Sequence, residues 1–166
     1  VKNDAEFFEF KGGDGGDPKG LLKGKVGDTV NLFGYKYVTM GTNVYSLIHN
    51  GDTVFVSMKD VMTAKDYSVS IMPTKFTVPK DQDEITWARA NKFVAQKSDM
   101  KIQTQTTFLV ETFSPISSGD KSFKITRLPM GSEVEFEVVC YEKGYAGNAR
   151  NVNMAKECAY YMKNGD

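Results

Sequence analysis

From Glu133 to Cys140 the chain reads Glu-Val-Glu-Phe-Glu-Val-Val-Cys, with an apolar residue at every second position. An extended strand sends successive side chains to opposite faces. Val134, Phe136, Val138 and Cys140 therefore share one face, and Glu133, Glu135 and Glu137 share the other. This period specifies a strand with one side in a core. It recurs earlier in the chain. Val54, Val56 and Met58 oppose Phe55, while Val30, Leu32, Val38 and Met40 share one parity against Phe33, Tyr35 and Tyr37. Composition agrees: 16 Val, 13 Thr, 11 Phe and 8 Tyr stand against only 6 Leu. β-branched and aromatic residues suit a pleated, half-buried surface, so a strand-rich protein is expected.

Turn signals divide the first half into short strands. Residues 5–11, with Phe7, Phe8 and Phe10, read as a strand, and residues 12–20 hold five Gly and one Pro and read as a loop. Gly27-Asp28 turns into the aromatic run, Val44 to Ile48 follows, and Asn50-Gly51-Asp52 is a strong hairpin signal. Residues 59–66 read as one helical turn, and Tyr67, Val69 and Ile71 alternate as a last strand. Five strands with tight turns in about 70 residues predict a small barrel. Pro73 and Pro79 bracket a connecting stretch, so a boundary is expected near residue 80.

The second half changes period. Residues 84–96 lack Gly and Pro, and Trp87, Ala90 and Val94 recur at helical spacing beside Phe93, with Asp81 and Glu84 in a capping relation. Residues 101–113 read as one long strand. Phe123 and Ile125 begin another, turned at Pro129-Met130-Gly131-Ser132 into the alternating run, with Lys124 expected beside Glu135 or Glu137. A final helix starts near Asn148 or Asn151 and ends before Gly165, with Val152, Ala155, Ala159 and Met162 as its buried stripe. The expectation is an α+β chain: a small barrel over residues 1–80, then a helix–three-strand–helix module over residues 81–166.

Two family resemblances bear on these halves. Lys23-Gly24-Lys25-Val26-Gly27-Asp28-Thr29-Val30, followed by Asn50-Gly51-Asp52-Thr53-Val54-Phe55-Val56, resembles a bacterial SH3-like barrel. Asp83-Glu84-Ile85-Thr86-Trp87-Ala88-Arg89-Ala90 with Lys101-Ile102-Gln103 resembles a domain of secreted or lipid-anchored Bacteroidetes proteins, a family with a TATA-binding-protein-like helix–sheet–helix fold and no established activity. Neither resemblance carries over a functional residue.

The titratable inventory disfavours most catalysis. A nucleophilic Cys or Ser needs a base, and His49, beside the Asn50-Gly51 turn, is the single His. Three Cys and His residues without a C-x-x-C pair do not make a zinc site, so no metal and no cofactor is expected. The Gly-rich segment 12–17 is one fragment of a calcium-repeat pattern that needs tandem copies, and no phosphate-binding loop motif occurs. Cys140 and Cys158 both fall on apolar faces, with 17 residues between them. A helix folded back on its strand would bring them together, either as a disulfide worth about 3 kcal/mol or as two buried thiols.

With 21 basic and 21 acidic side chains the net charge is zero, which counts against nucleic acid as a partner. No apolar run reaches the roughly 20 residues of a membrane span. The N-terminus has neither a starting Met nor a signal-peptide run, which fits both a removed leader and a trimmed chain. Phe33, Tyr35, Tyr37 and Tyr45 form the candidate ligand-binding set, since small barrels hold extended peptide or sugar on such aromatics. The same stripe would also serve as a packing surface between the halves. The expected function is non-enzymatic binding or structure in the bacterial envelope (periplasm, cell surface or outside), directed at a protein, peptide or glycan. A hydrolase, a weak nucleic-acid binder and a cytoplasmic location are the alternatives.

Overall fold

A computed structural model of the protein describes residues 5–10, 18–24, 32–38, 42–49, 52–57 and 63–165, the first five segments as backbone strands. The chain forms two compact units that divide between Tyr67 and Ser68. It is an α+β protein, and the N-terminal unit contributes β1 (Ala5–Phe10), β2 (Pro18–Gly24), β3 (Leu32–Val38), β4 (Thr42–His49) and β5 (Asp52–Ser57). These pair antiparallel in the order β2-β1-β5-β4-β3. The register shifts between Leu32 and Gly34, where a glycine admits the irregular backbone of a bulge. The Asn50-Gly51 turn and the Gly-rich segment 12–17 lie outside the described residues.

The stretch read as a last strand is instead a helix, α1 (Ala64–Ile71). Thr63 decides this locally. Its Oγ1 accepts the Asp66 N–H at 3.0 Å and donates to Asp66 Oδ2 at 2.8 Å, which satisfies an otherwise orphaned helical donor. The cap outweighs the two-residue spacing of Tyr67, Val69 and Ile71.

The C-terminal unit holds β6 (Lys75–Pro79), a short 3₁₀ turn (Lys80–Gln82), α2 (Asp83–Lys97), β7 (Ile102–Gln105), β8 (Leu109–Thr112), β9 (Lys121–Met130), β10 (Glu133–Gly144), β11 (Gly147–Arg150) and α3 (Val152–Asn164). Its sheet has six strands rather than the three expected, in the order β11-β10-β9-β8-β7, with β6 also paired to β10. Three features account for the extra strands. The Pro-bracketed stretch pairs along β10, with Pro79 at its last position opposite Glu133, where a missing N–H is tolerated. The expected long strand over residues 101–113 folds into the β7–β8 hairpin. Thr106 makes that turn without Gly or Pro, because its Oγ1 accepts the Phe108 and Leu109 N–H groups at 3.2 and 3.0 Å. Gly147, at φ +112°, closes a further hairpin between β10 and β11.

The alternation in β10 does what its period requires. Val134, Phe136, Val138 and Cys140 are buried against the helices, and Glu133 and Glu137 are exposed on the other face. α2 packs on β9 and α3, and α3 packs on β10, so both helices cover one side of the sheet. Phe76 and Trp87 stack on Phe136 with centroids at 5.8 and 6.4 Å, and Phe93 meets Phe123 edge-on at 5.7 Å.

Both helix ends of α3 follow the sequence reading. Asn151 is the N-cap, its Oδ1 accepting the Met154 N–H at 2.9 Å, and Gly165 takes the left-handed conformation at φ +89° while its N–H reaches Tyr161 O. The expected capping pair at α2 does not form. Gln82 precedes that helix with no side-chain cap, and Asp83 and Glu84 meet Arg127 instead.

Candidate functional site

The face of the C-terminal sheet turned away from the helices carries a mixture of charged and apolar side chains. On β10 it presents Glu133, Glu135, Glu137, Val139 and Tyr141, and on β9 it presents Lys124, Thr126 and Leu128. The turn at residues 130–133 sets Lys124 opposite Val139, not opposite a glutamate. Lys124 accordingly pairs with Glu111 of β8 at 3.6 Å, and Glu135 takes Lys75 of β6 at 2.9 Å. The Glu135 hydrogen bond and charge raise the pKa of Lys75 above its ordinary value. The acidic row is thus offset by β6, a strand that the sequence reading placed in a linker.

At the far end of the sheet a groove of about 630 Å³ is lined by Asp99, Met100, Lys101, Gln103, Phe113, Ser114 and Ile116. One wall is the segment leading into β7, and the other leaves β8. The two walls are tied where Phe113 N–H donates to Lys101 O at 3.0 Å. Asp99 is held in place: its Oδ2 accepts the Lys121 N–H at 2.9 Å and lies 3.9 Å from the Lys121 ammonium. The loop beyond Phe113 is braced by Asp120, whose Oδ2 accepts the Ile116 and Ser117 N–H groups at 3.3 and 2.7 Å. Against this polar frame, Phe113 and Ile116 remain 49% and 75% exposed. Two exposed apolar side chains therefore border the groove beside its polar groups.

Sequence reasoning missed this groove. Its walls sit in what reads as one strand, so Lys101 and Phe113 look like its two distant ends. The available signal is the run Ser114-Pro115-Ile116-Ser117-Ser118-Gly119-Asp120, a loop composition with an apolar residue inside it.

The aromatic candidates are placed only as backbone. Phe33, Tyr35 and Tyr37 lie on β3 and Tyr45 on β4, with Tyr35 and Tyr45 as register partners and Phe33 within the register shift. Their side chains lie outside the described residues. His49 ends β4 opposite Asp52, in a different unit from either cysteine.

Cys140 and Cys158 are free, fully buried thiols, so the candidate disulfide is not formed in the structure. Each fills core volume as a small apolar group. Burial pushes the Cys140 thiol up to about 12, with the Glu142 charge adding to it, and burial raises Cys158 well above its ordinary value. Thiols held protonated in this way are poor nucleophiles. Among the described residues no group of three His, Cys, Asp or Glu stands together as a metal site, and no helix is long and apolar enough to cross a membrane.

Comparison with protein-family models, with curated proteins and with solved structures gives no match.

Proposed function

We propose that the protein is a non-enzymatic binding module of the bacterial envelope that recognises a protein, peptide or glycan surface. The observation that carries this reading is the division of the C-terminal unit. Its chemistry-bearing groups, the two thiols and the Arg127–Asp83 pair, are buried, while Phe113 and Ile116 are held exposed along a preformed groove. Preformed apolar concavities framed by a few polar groups are the usual form of a binding site.

On this reading the N-terminal unit is an SH3-like barrel, which the five antiparallel strands within residues 5–57 support. The C-terminal unit is the TATA-binding-protein-like module, which two helices on one face of an antiparallel sheet support. The aromatic set on β3 and β4 is a second contact surface. The envelope location rests on the resemblance of the second half to secreted and lipid-anchored proteins.

Selection from a random-peptide library and binding to a glycan array test the reading. The full chain should enrich ligands, and either Phe113→Ser or the pair Tyr35→Ala and Tyr37→Ala should weaken them by about tenfold or more, as truncating an anchor residue does. An enriched ligand set indifferent to all these substitutions, or no enrichment on either array, would overturn it.

A further inference from the structure

Two Asn-Gly pairs occur in the chain, Asn50-Gly51 and Asn164-Gly165, and the second lies within the described residues. Asn-Gly is the dipeptide most prone to close on itself. The main-chain nitrogen after the asparagine attacks the side-chain carbonyl carbon, and glycine puts no Cβ in the way. A C–N bond forms, the bond to Nδ2 breaks, and ammonia leaves with the proton of the attacking N–H. Water then opens the cyclic imide at either carbonyl, which gives aspartate or isoaspartate.

The C-terminal end of α3 ties up the groups that this reaction needs. The nucleophile, Gly165 N–H, donates to Tyr161 O at 2.8 Å. The leaving group, Asn164 Nδ2, donates to Tyr160 O at 3.0 Å. Asn164 is the last residue of the helix, and ring closure turns its backbone out of the helical angles. From α2, Arg89 Nη1 donates to Met162 O and Lys163 O at 3.2 and 3.0 Å. Carbonyls at a helix end otherwise lack helical partners, so these bonds hold the last turn closed. Asn164 is nevertheless exposed and Gly165 half-buried, so water reaches the pair once that turn opens. Met162 is fully buried, so residues 163–165 can open while the core side of α3 stays packed.

We propose that Asn164-Gly165 is a site of spontaneous deamidation, kept latent by the Arg89 bonds and opened by fraying of the last turn of α3. Helix ends fray locally, without global unfolding. The reaction rate therefore follows the fraction of time that the last turn is open. Its products act back on the cap. Either one adds a carboxylate at the negative end of the α3 dipole. Isoaspartate also lengthens the main chain by a methylene, which carries the Gly165 N–H away from Tyr161 O. The modification thus releases the turn that had held it off.

The test incubates the full chain at mildly alkaline pH and follows Asn164 conversion by peptide mapping with mass spectrometry. In urea, where no cap remains, Asn164 should convert at least about tenfold faster than in the folded chain. Arg89→Ala should raise the folded rate by about fivefold, since both bonds to the last-turn carbonyls are lost. It should leave the urea rate unchanged. Asn151→Ala uncaps the other end of the same helix, and should leave the folded rate at Asn164 within about twofold of the parent's. Circular dichroism under the incubation conditions checks that each variant is folded. Should Arg89→Ala fail to fold, hydrogen exchange in the parent decides. The Gly165 amide should exchange at least about tenfold more slowly than in the unfolded chain, yet faster than the Met162 amide. Equal conversion rates in the folded and unfolded chains, or no effect of Arg89→Ala, would overturn the proposal. So would rises of equal size in Arg89→Ala and Asn151→Ala, an Asn164 that stays intact in urea, or an unprotected Gly165 amide.

Discussion

Arg127 of β9 holds Asp83 at the head of α2 through two parallel hydrogen bonds, Nε to Oδ1 and Nη2 to Oδ2, each 2.7 Å. Both residues are 7% exposed. Glu84 adds a third contact from the surface, and the guanidinium lies over Trp87 at 5.7 Å from the ring centroid. The hydrogen bond to Asp83 raises the pKa of Arg127 further, so the charge is permanent. The cluster places two carboxylates at the positive end of the α2 dipole and ties that end to the sheet.

Removing one partner should cost far more than removing both. Arg127→Ala leaves Asp83 buried without its counter-ion and should destabilise the fold by about 3–5 kcal/mol in urea unfolding. The double change Arg127→Met with Asp83→Leu should recover much of that loss. Equal losses in the single and double variants would mean that the pair acts only through packing.

The two thiols set an alkaline limit. A thiol whose folded pKa is raised contributes stability that is fully present below its unfolded pKa and lost as pH rises toward the folded value. For Cys140 that window runs from 9.0 to about 12. Cys158 shifts in the same direction and adds to the loss. The urea midpoint should therefore fall progressively above about pH 9, and Cys158→Ala should flatten the slope. A thiol reagent at neutral pH should react slowly with the folded chain and find two thiols once it is unfolded. Finding no thiol after unfolding would instead establish a disulfide.

Gly165 and Gly131 both have positive φ, yet they should respond differently to alanine. At Gly131, φ +72°, a Cβ meets nothing within 4 Å. At Gly165, φ +89°, it falls 2.7 Å from Arg89 Nη2. The Arg89 side chain can move, but Nη1 then gives up its bonds to Met162 O and Lys163 O, at 3.2 and 3.0 Å. Gly131→Ala should cost about 1 kcal/mol through the backbone alone, and Gly165→Ala should cost about 1–2 kcal/mol more. Thermal unfolding of the two variants measures the difference, and equal losses would show that the Arg89 bonds contribute nothing.

Where the chain is cut should matter more than its length. A fragment from Ser68 keeps β6, whereas one from Asp81 leaves Val134 and Phe136 without Val78 and Phe76 across the ladder. The longer fragment should show cooperative unfolding and a near-ultraviolet signal from Trp87. The shorter one should retain helical signal while losing the aromatic one. Matching spectra would mean that β6 is dispensable.

What the residues disclosed in advance follows the range of their interactions. β10 and α3 were legible because local patterns settle them: alternation from Glu133 to Cys140, and Asn151 and Gly165 as end markers. α1 differs from the expected strand because the Thr63 cap competes with a two-residue pattern. β6 was hidden because its ladder partner is distant in sequence and its prolines read as punctuation. The groove was hidden for a related reason. Lys101 and Phe113 meet only once Thr106 has turned the chain, and a threonine turn carries no glycine or proline to announce it.

The pairing of β6 with β10 also bears on how the protein is made. Phe76 leaves the ribosome roughly sixty residues ahead of Phe136, a delay of about 3–12 s at roughly 5–20 residues per second. During that interval Phe76 and Val78 have no strand to lie against, and α2 has no sheet to cover. The nascent chain thus carries an unpaired apolar segment until nearly all of the unit has been synthesised. Conditions that slow elongation between these two positions lengthen its exposure to chaperones and proteases.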